Sequence, residues 1–217
     1  MSTDARIVQR SLVNMKVTIK SYTHDPVNVC SEAAGTSYGR DNTSYKRLVT
    51  CAKSGHMSVF EHAVVTFRIE GISRACSHQL VRHRIASYVQ KSQRYTKMDD
   101  SLFYVVPPEV LDDEVALKLF CDAMDDCRDV YQALIDSGVK PEDARFVLPE
   151  ATKTDLTVTM NYRAFFNFLN LRLDKAAQWE IRNLAAAMYT ACRECEDAQV
   201  GIMMDLYDAY VRGNSNV

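Results

Sequence analysis

Apolar residues recur along this chain at two periods, and the switches between them outline the fold. Met15, Val17 and Ile19 alternate with Lys16, Thr18 and Lys20, which predicts a strand buried on one face. The period of two returns at Val65, Phe67 and Ile69, leading to Gly71, and again at Leu156, Val158 and Met160, leading to Asn161. Between the strands the period lengthens. A first helix is punctuated by Asp25 as cap, Pro26 in its first turn and Gly35 at its end. A second runs from about Ser44 to Ser54, with Tyr45, Leu48, Val49 and Ala52 inward and Gly55 after it, which delivers His56 and Ser58 to a loop.

After the break at Pro107 and Pro108, apolar residues from Ala116 to Leu134 recur at three and four, the clearest helix in the chain. Gly138, Pro141 and Pro149 bracket a short piece that carries Arg145. From Tyr162 the pattern is helical behind Asn161 as cap, and Arg163, Asn167 and Asn170 fall on one face. Asparagine is a poor interior helix former, so two on one face point to a task beyond propensity. Helical spacing dominates from Ala176 to about Tyr210, and the tail from about 213 should fray. The class that emerges is α+β: antiparallel strands covered by several helices, one domain over residues 1–217.

Composition narrows the function. With 26 Lys plus Arg against 28 Asp plus Glu the net charge is -2, which speaks against a general nucleic-acid binder. The start lacks a secretory signal, and no run approaches the ~20 apolar residues that span a bilayer, so a cytoplasmic protein is expected with no membrane partner. The 7 cysteines read as buried reduced thiols. Cys192 and Cys195 have CxxC spacing but no second pair, and no metal site is expected.

One stretch stands out against this balance. Arg82, His83, Arg84 and Arg94 lie together with Ser92 and Gln79, Gln90 and Gln93. If a helix from Ser73 to about His83 gives way to extended chain, Gln90, Ser92 and Arg94 point to one side. A hydroxyl, an amide and a guanidinium there suit a phosphate and a planar polar ring. The plainer alternative is a solvated loop carrying surface charge.

Arg82-His83-Arg84, seven residues and then Ser92 resembles the RHR-x7-S signature of the flavin-dependent thymidylate synthases, and Gln93-Arg94-Tyr95 continues the likeness. Three further segments resemble that family in its order: His56 to His62, Ala144-Arg145-Phe146-Val147-Leu148-Pro149, and Asn161 through Asn167 and Arg172 to Glu180. The resemblance implies FAD as cofactor, with NADPH and methylenetetrahydrofolate as co-substrates, and methylation of dUMP to dTMP. It implies that Ser58, Arg82, His83, Arg84, Gln90, Asn161, Arg163 and Asn167 contact FAD. It also implies that Gln79, Arg82, Gln90, Ser92, Gln93, Arg94, Arg145 and Arg172 hold dUMP, in sites shared between subunits of a homotetramer. The likeness is loose from Val29 to Tyr38, which leaves open the serine that meets the flavin there, and Ala176 stands where the family can carry a histidine.

Arg172 is the expected catalytic residue, since a guanidinium beside the N3 and O2 edge of uracil would favour the ionised ring and a more nucleophilic C5. The alternative makes it a surface partner of Asp174 or Glu180. Ser92 is read as a phosphate or sugar ligand, because a serine without a base beside it is inert as a nucleophile. His56 either stacks on the flavin or shapes the loop after Gly55. Two rivals stay on the table, a phosphate-binding module for RNA or DNA and a flavin binder without synthase activity.

Overall fold

The computed structural model describes residues 15–40, 42–95 and 104–213. The expected fraying beyond 213 and the start of the chain lie outside them. In chain order the elements are β1 (Lys16–Tyr22), α1 (Pro26–Thr36), α2 (Tyr45–Lys53), a 3-10 turn (Met57–His62), β2 (Val64–Ser73), α3 (Arg74–Leu80) and β3 (Ala86–Gln90). There follow α4 (Pro108–Leu111), α5 (Glu114–Asp136), α6 (Pro141–Ala144), β4 (Lys153–Asn161), α7 (Tyr162–Arg172), α8 (Trp179–Arg193) and α9 (Ala198–Leu206). The class is the α+β one read from the sequence, with a four-stranded antiparallel sheet in the order β1-β2-β4-β3.

That order explains which strand patterns hold. β2 and β4 are interior strands, and Val65, Phe67, Ile69, Leu156 and Val158 are fully buried. Each such side chain contributes roughly 1.5–3 kcal/mol by leaving water. β1 is an edge strand, and none of its residues is buried, so the expected buried face at Val17 and Ile19 is only half covered. The fourth strand, β3, is the other edge; its sequence carries no clean alternation.

The chain divides into two compact units. One comprises Lys16–Ile69, Gln79–Val89 and Thr157–Val217. Its core is aromatic: Phe166 packs on Phe60 at 5.6 Å and on Tyr207 at 5.5 Å between ring centres, and Phe67 on Phe165 at 5.3 Å. Such pairs add about 0.5–1.5 kcal/mol beyond their buried area. The second comprises the described residues of Glu70–His78 and Gln90–Leu156. Its core is Tyr104, Val106, Leu117, Cys121 and Met124, with Phe120 and Leu148 against them. The apolar stripe of α5 supplies most of this, and Asp113 caps that helix by accepting from the amides of Val115 and Ala116.

Three punctuation readings change. Asp25 stands at the start of α1 but does not cap it; its backbone is left-handed at φ 50° and its carboxylate accepts from Gln199 Nε2 at 2.6 Å. Gly35 does not end α1, which runs to Thr36. It is glycine because a Cβ there would meet the Arg40 carbonyl and Arg47 NH1, each at 2.6 Å. Tyr45 faces outward at 50% exposure, and Cys51 takes the inward position beside Leu48 and Ala52.

Gly35→Ala is therefore expected to lower unfolding stability by about 1–3 kcal/mol, since the Arg40 backbone has to move. A variant whose denaturant midpoint matches the parent would contradict this.

Candidate functional site

The arginine-rich stretch begins where α3 stops. The amide of His83 donates to the Leu80 carbonyl at 3.0 Å and that of Arg82 to Gln79 at 3.3 Å, so the chain turns before β3 starts at Ala86. The helix expected to reach His83 thus ends at Leu80. Tyr88 reaches back over the turn, its hydroxyl 2.8 Å from the His83 carbonyl and 3.0 Å from that of Leu80. Burial pushes the phenol up to about 12, so it keeps its proton at any working pH.

Held this way, His83 lies edge-on against Phe168, 5.6 Å between ring centres. Burial pushes its pKa below the usual histidine value, the Ala164 backbone opposes this and the Arg172 charge adds to it, so the ring is neutral near pH 7. Its Nε2 is buried without a hydrogen-bond partner. The ring belongs to a cavity of about 460 Å³ lined by Arg82, His83, Arg84, Arg163 and Asn167, with Ile85 and Leu171 as apolar wall. Arg163 and Asn167 arrive together because they are four apart on α7, whose first turn is fixed by Asn161 Oδ1 accepting from the Ala164 amide at 2.9 Å. Asn170 departs from that face: its side chain ties the Val211 carbonyl and the Gly213 amide.

Arg163 also pairs with Glu61 at 2.6 Å and lines a neighbouring cavity of about 460 Å³ with Ser37, His56 and Ser58. Ser58 sits on the 3-10 turn rather than in an open loop. Arg172 ends α7, half-buried, and among the described residues it makes no ion pair with Asp174 or Glu180. Gln79 lies in the last turn of α3.

The second unit has its own cavity, about 470 Å³, lined by Gln93 and Arg145 together with Arg74, His78 and Glu150, and by Phe146 and Leu148. The expected extended run through Arg94 is not formed. β3 ends at Gln90, and Gln93 to Tyr95 make a turn in which the Arg94 amide donates to Ser92 Oγ at 3.1 Å. Gln90 points inward, its Nε2 donating to Ser77 Oγ at 2.9 Å and Thr154 Oγ1 at 3.1 Å. Arg94 forks onto Glu142 through Nε at 3.0 Å and NH2 at 2.8 Å, and Arg145 Nε donates to the Glu142 carbonyl at 3.0 Å.

Of the residues read from the sequence, five line the first cavity and two the second. Ser58 lines the neighbouring one, while Gln79, Gln90, Ser92, Arg94, Asn161 and Arg172 line none of these three. Arg82 and Arg145 line different cavities, and Ser92 and Arg172 line neither, although the Arg172 charge is felt at His83 on the wall of the first. Sequence reading missed Arg74, Glu142 and Tyr88. Arg74 carried a faint signal, since it is four residues before His78 and so shares a helix face with it.

Three of the thiols, Cys30, Cys51 and Cys192, are held away from the thiolate form. All seven are free; burial pushes Cys30 up to about 12 and raises Cys51 and Cys192 as well. Among the described residues no helix is long and apolar enough to cross a membrane.

Residues 18–195 match the family model described as thymidylate synthase complementing protein. The chain is 47% identical over 186 residues to a flavin-dependent thymidylate synthase of Geobacter sulfurreducens, with 80% of each chain covered. It is 40% identical over 197 residues to one of Pyrococcus furiosus, covering 84% of this chain and 81% of that one. It is 37% identical over 209 residues to one of Clostridium tetani, covering 84% of each.

Removing the Tyr88 hydroxyl tests the turn that carries the arginines. Tyr88→Phe is expected to cost about 0.5–1.5 kcal/mol of unfolding stability, the net worth of a hydrogen bond, and to speed hydrogen exchange at the amides of residues 82–85. Unchanged exchange there would show that the phenol does not hold the turn.

Proposed function

The chain belongs to the thymidylate synthase complementing protein family, and from that membership we infer that it is a flavin-dependent thymidylate synthase. It converts dUMP to dTMP with methylenetetrahydrofolate as one-carbon donor and NADPH as reductant. The observation that carries the reading is the cavity at Arg82, His83, Arg84, Arg163 and Asn167, with the buried, partnerless Nε2 of a half-buried His83.

These residues fit FAD. Three guanidiniums can donate to phosphate oxygens, Asn167 offers both a donor and an acceptor, and the buried Nε2 of His83 lacks the partner that a polar ligand would supply. FAD, when bound, carries the hydride that reduces the one-carbon unit on uracil C5. In the proposed site Ser58, Asn161 and Gln90 complete the FAD contacts, and Arg82 and Gln90 also meet dUMP. Gln79, Ser92, Gln93, Arg94, Arg145 and Arg172 hold the nucleotide.

Arg172 acts on the uracil. Its guanidinium, charged at every working pH, stabilises negative charge at the N3 and O2 edge and so raises electron density at C5. The absence of an ion pair with Asp174 or Glu180 among the described residues supports a free hand for it. The raised thiols of Cys30, Cys51 and Cys192 favour a route in which no cysteine adds to the ring.

Residues 1–217 are proposed to act as one domain in a cytoplasmic homotetramer whose subunits share the sites. Ile85 and Val89 beside the arginine turn are 65% and 75% exposed, which suits a surface covered by another copy.

Purified protein should be yellow or take up FAD, bleach with NADPH, and release tritium from C5-labelled dUMP; a preparation that cannot be loaded with FAD would end the reading. Arg172→Ala should lose roughly 100-fold or more in turnover while still folding and binding FAD. Normal turnover with tight dUMP binding would remove it from the chemistry. Light scattering should give four copies, and a monomer that binds FAD and dUMP at full stoichiometry would refute the shared sites.

A further inference from the structure

The hydrogen-bond partners of Gln90 decide which end of its side chain a ligand can use. Gln90 closes β3, half-buried, with its carboxamide against two hydroxyls: Nε2 donates to Ser77 Oγ at 2.9 Å and to Thr154 Oγ1 at 3.1 Å. A carboxamide ordinarily turns over at little cost, because its last torsion is broad and roughly two-fold. Here it does not.

The position of one proton fixes the orientation. A serine hydroxyl carries a single hydrogen, and Ser77 donates its own to the Arg74 carbonyl, one turn back in α3, at 2.9 Å. Toward Gln90 the Ser77 oxygen is therefore only an acceptor, and the atom facing it has to bring a hydrogen. With the carboxamide reversed, two oxygens would meet with no proton between them. Ser77 is fully buried and Thr154 is 2% exposed, so water does not relieve that clash. Nε2 has two hydrogens, and both are engaged. The end left for a ligand is Oε1, which accepts.

We propose that Ser77 and Thr154 are positioning residues that hold Gln90 as an acceptor for the 3′-hydroxyl of dUMP, and so make the site select nucleotides that carry a hydroxyl there. An acceptor needs a donor from the ligand, and ionised dUMP has two, the 3′-hydroxyl and the N3–H of uracil. The N3 edge is the one assigned to Arg172, which leaves the hydroxyl. Ionised phosphate oxygens are excluded as partners of Gln90 Oε1, since neither side brings a hydrogen. The proposal rests on the reading of dUMP as substrate; what it adds is that two buried hydroxyls set the hydrogen-bonding sense of a third side chain.

The test is calorimetric titration of the full-length protein with dUMP and with its 2′,3′-dideoxy analogue, which lacks only that hydroxyl. The parent should bind dUMP roughly 10-fold more tightly than the analogue. Ser77→Ala frees the carboxamide to turn, so this preference should fall to about 3-fold or less, through weaker dUMP binding, while affinity for the analogue stays level. A merely structural serine would lower the melting temperature and weaken both nucleotides alike, leaving their ratio untouched. Thr154→Val serves if Ser77→Ala does not fold, and Thr154→Ser, which keeps the hydroxyl, should retain the parental preference. A parent that binds the two nucleotides equally, or a Ser77→Ala or Thr154→Val protein that keeps the parental ratio, overturns the positioning role with the substrate reading intact. A parent that binds neither nucleotide overturns the substrate reading, and the proposal with it.

Discussion

A phenol proton lying between the carbonyls of Leu80 and His83 decides how the chain leaves α3. Without that contact the five residues between α3 and β3 would have only two turn amides to hold them, and three of those residues carry or can carry positive charge. A short loop of that composition would spread into solvent, because nothing in its own sequence repays the entropy of ordering it. With the contact, the backbone of His83 is fixed, its ring is pressed against Phe168, and Arg82 and Arg84 are left on the wall of a cavity.

Charge is handled in two ways around the cavities. Arg94 and Arg163 have carboxylates at hand, Glu142 and Glu61. Arg74, Arg82 and Arg84 have none within ion-pair distance among the described residues, and His83 is held neutral. A protein of net charge -2 has acids enough to neutralise every arginine, so leaving these open reflects where the fold puts its carboxylates rather than a shortage. Open guanidiniums facing a concave surface are receptors for anions; paired ones hold shape. In the paired class Glu142 has a double task, since its carboxylate orients Arg94 and its backbone carbonyl orients Arg145.

Sequence periodicity carried the interior of the fold well and its margins poorly. β2 and β4 announced themselves because both are interior strands, where every second residue must leave water. Asn161 was readable as a cap because the cap bond is local. Asp25 was misread for the opposite reason: its partner is Gln199, far along the chain, and no local rule foretells that. Gly35 looked like a helix stop, whereas its meaning is a close approach of Arg40 and Arg47 that only packing reveals. The lining of the first cavity was legible from the RHR stretch and the face of α7. The second cavity was legible only at Gln93 and Arg145, because Arg74 resembles any surface arginine until its lack of acceptors is seen. The bonds that Gln90 Nε2 donates to two buried hydroxyls, Ser77 and Thr154, were not legible, because alternating patterns do not connect those residues.

The distribution of titratable groups bears on how such a site would behave with pH. Thiols that could have served as nucleophiles are pushed upward by burial, Cys30 to about 12, which keeps them protonated and inert through the neutral range. Tyr88 is likewise held in its donor form. His83 is displaced downward by burial, which favours its neutral form. The guanidiniums beside it keep a charge that does not vary near pH 7. A ring that must be activated by negative charge meets, in this arrangement, a constant field rather than a proton acceptor that switches on. That is the electrostatic logic of leaving redox chemistry to a cofactor and giving the protein the work of holding charge in place.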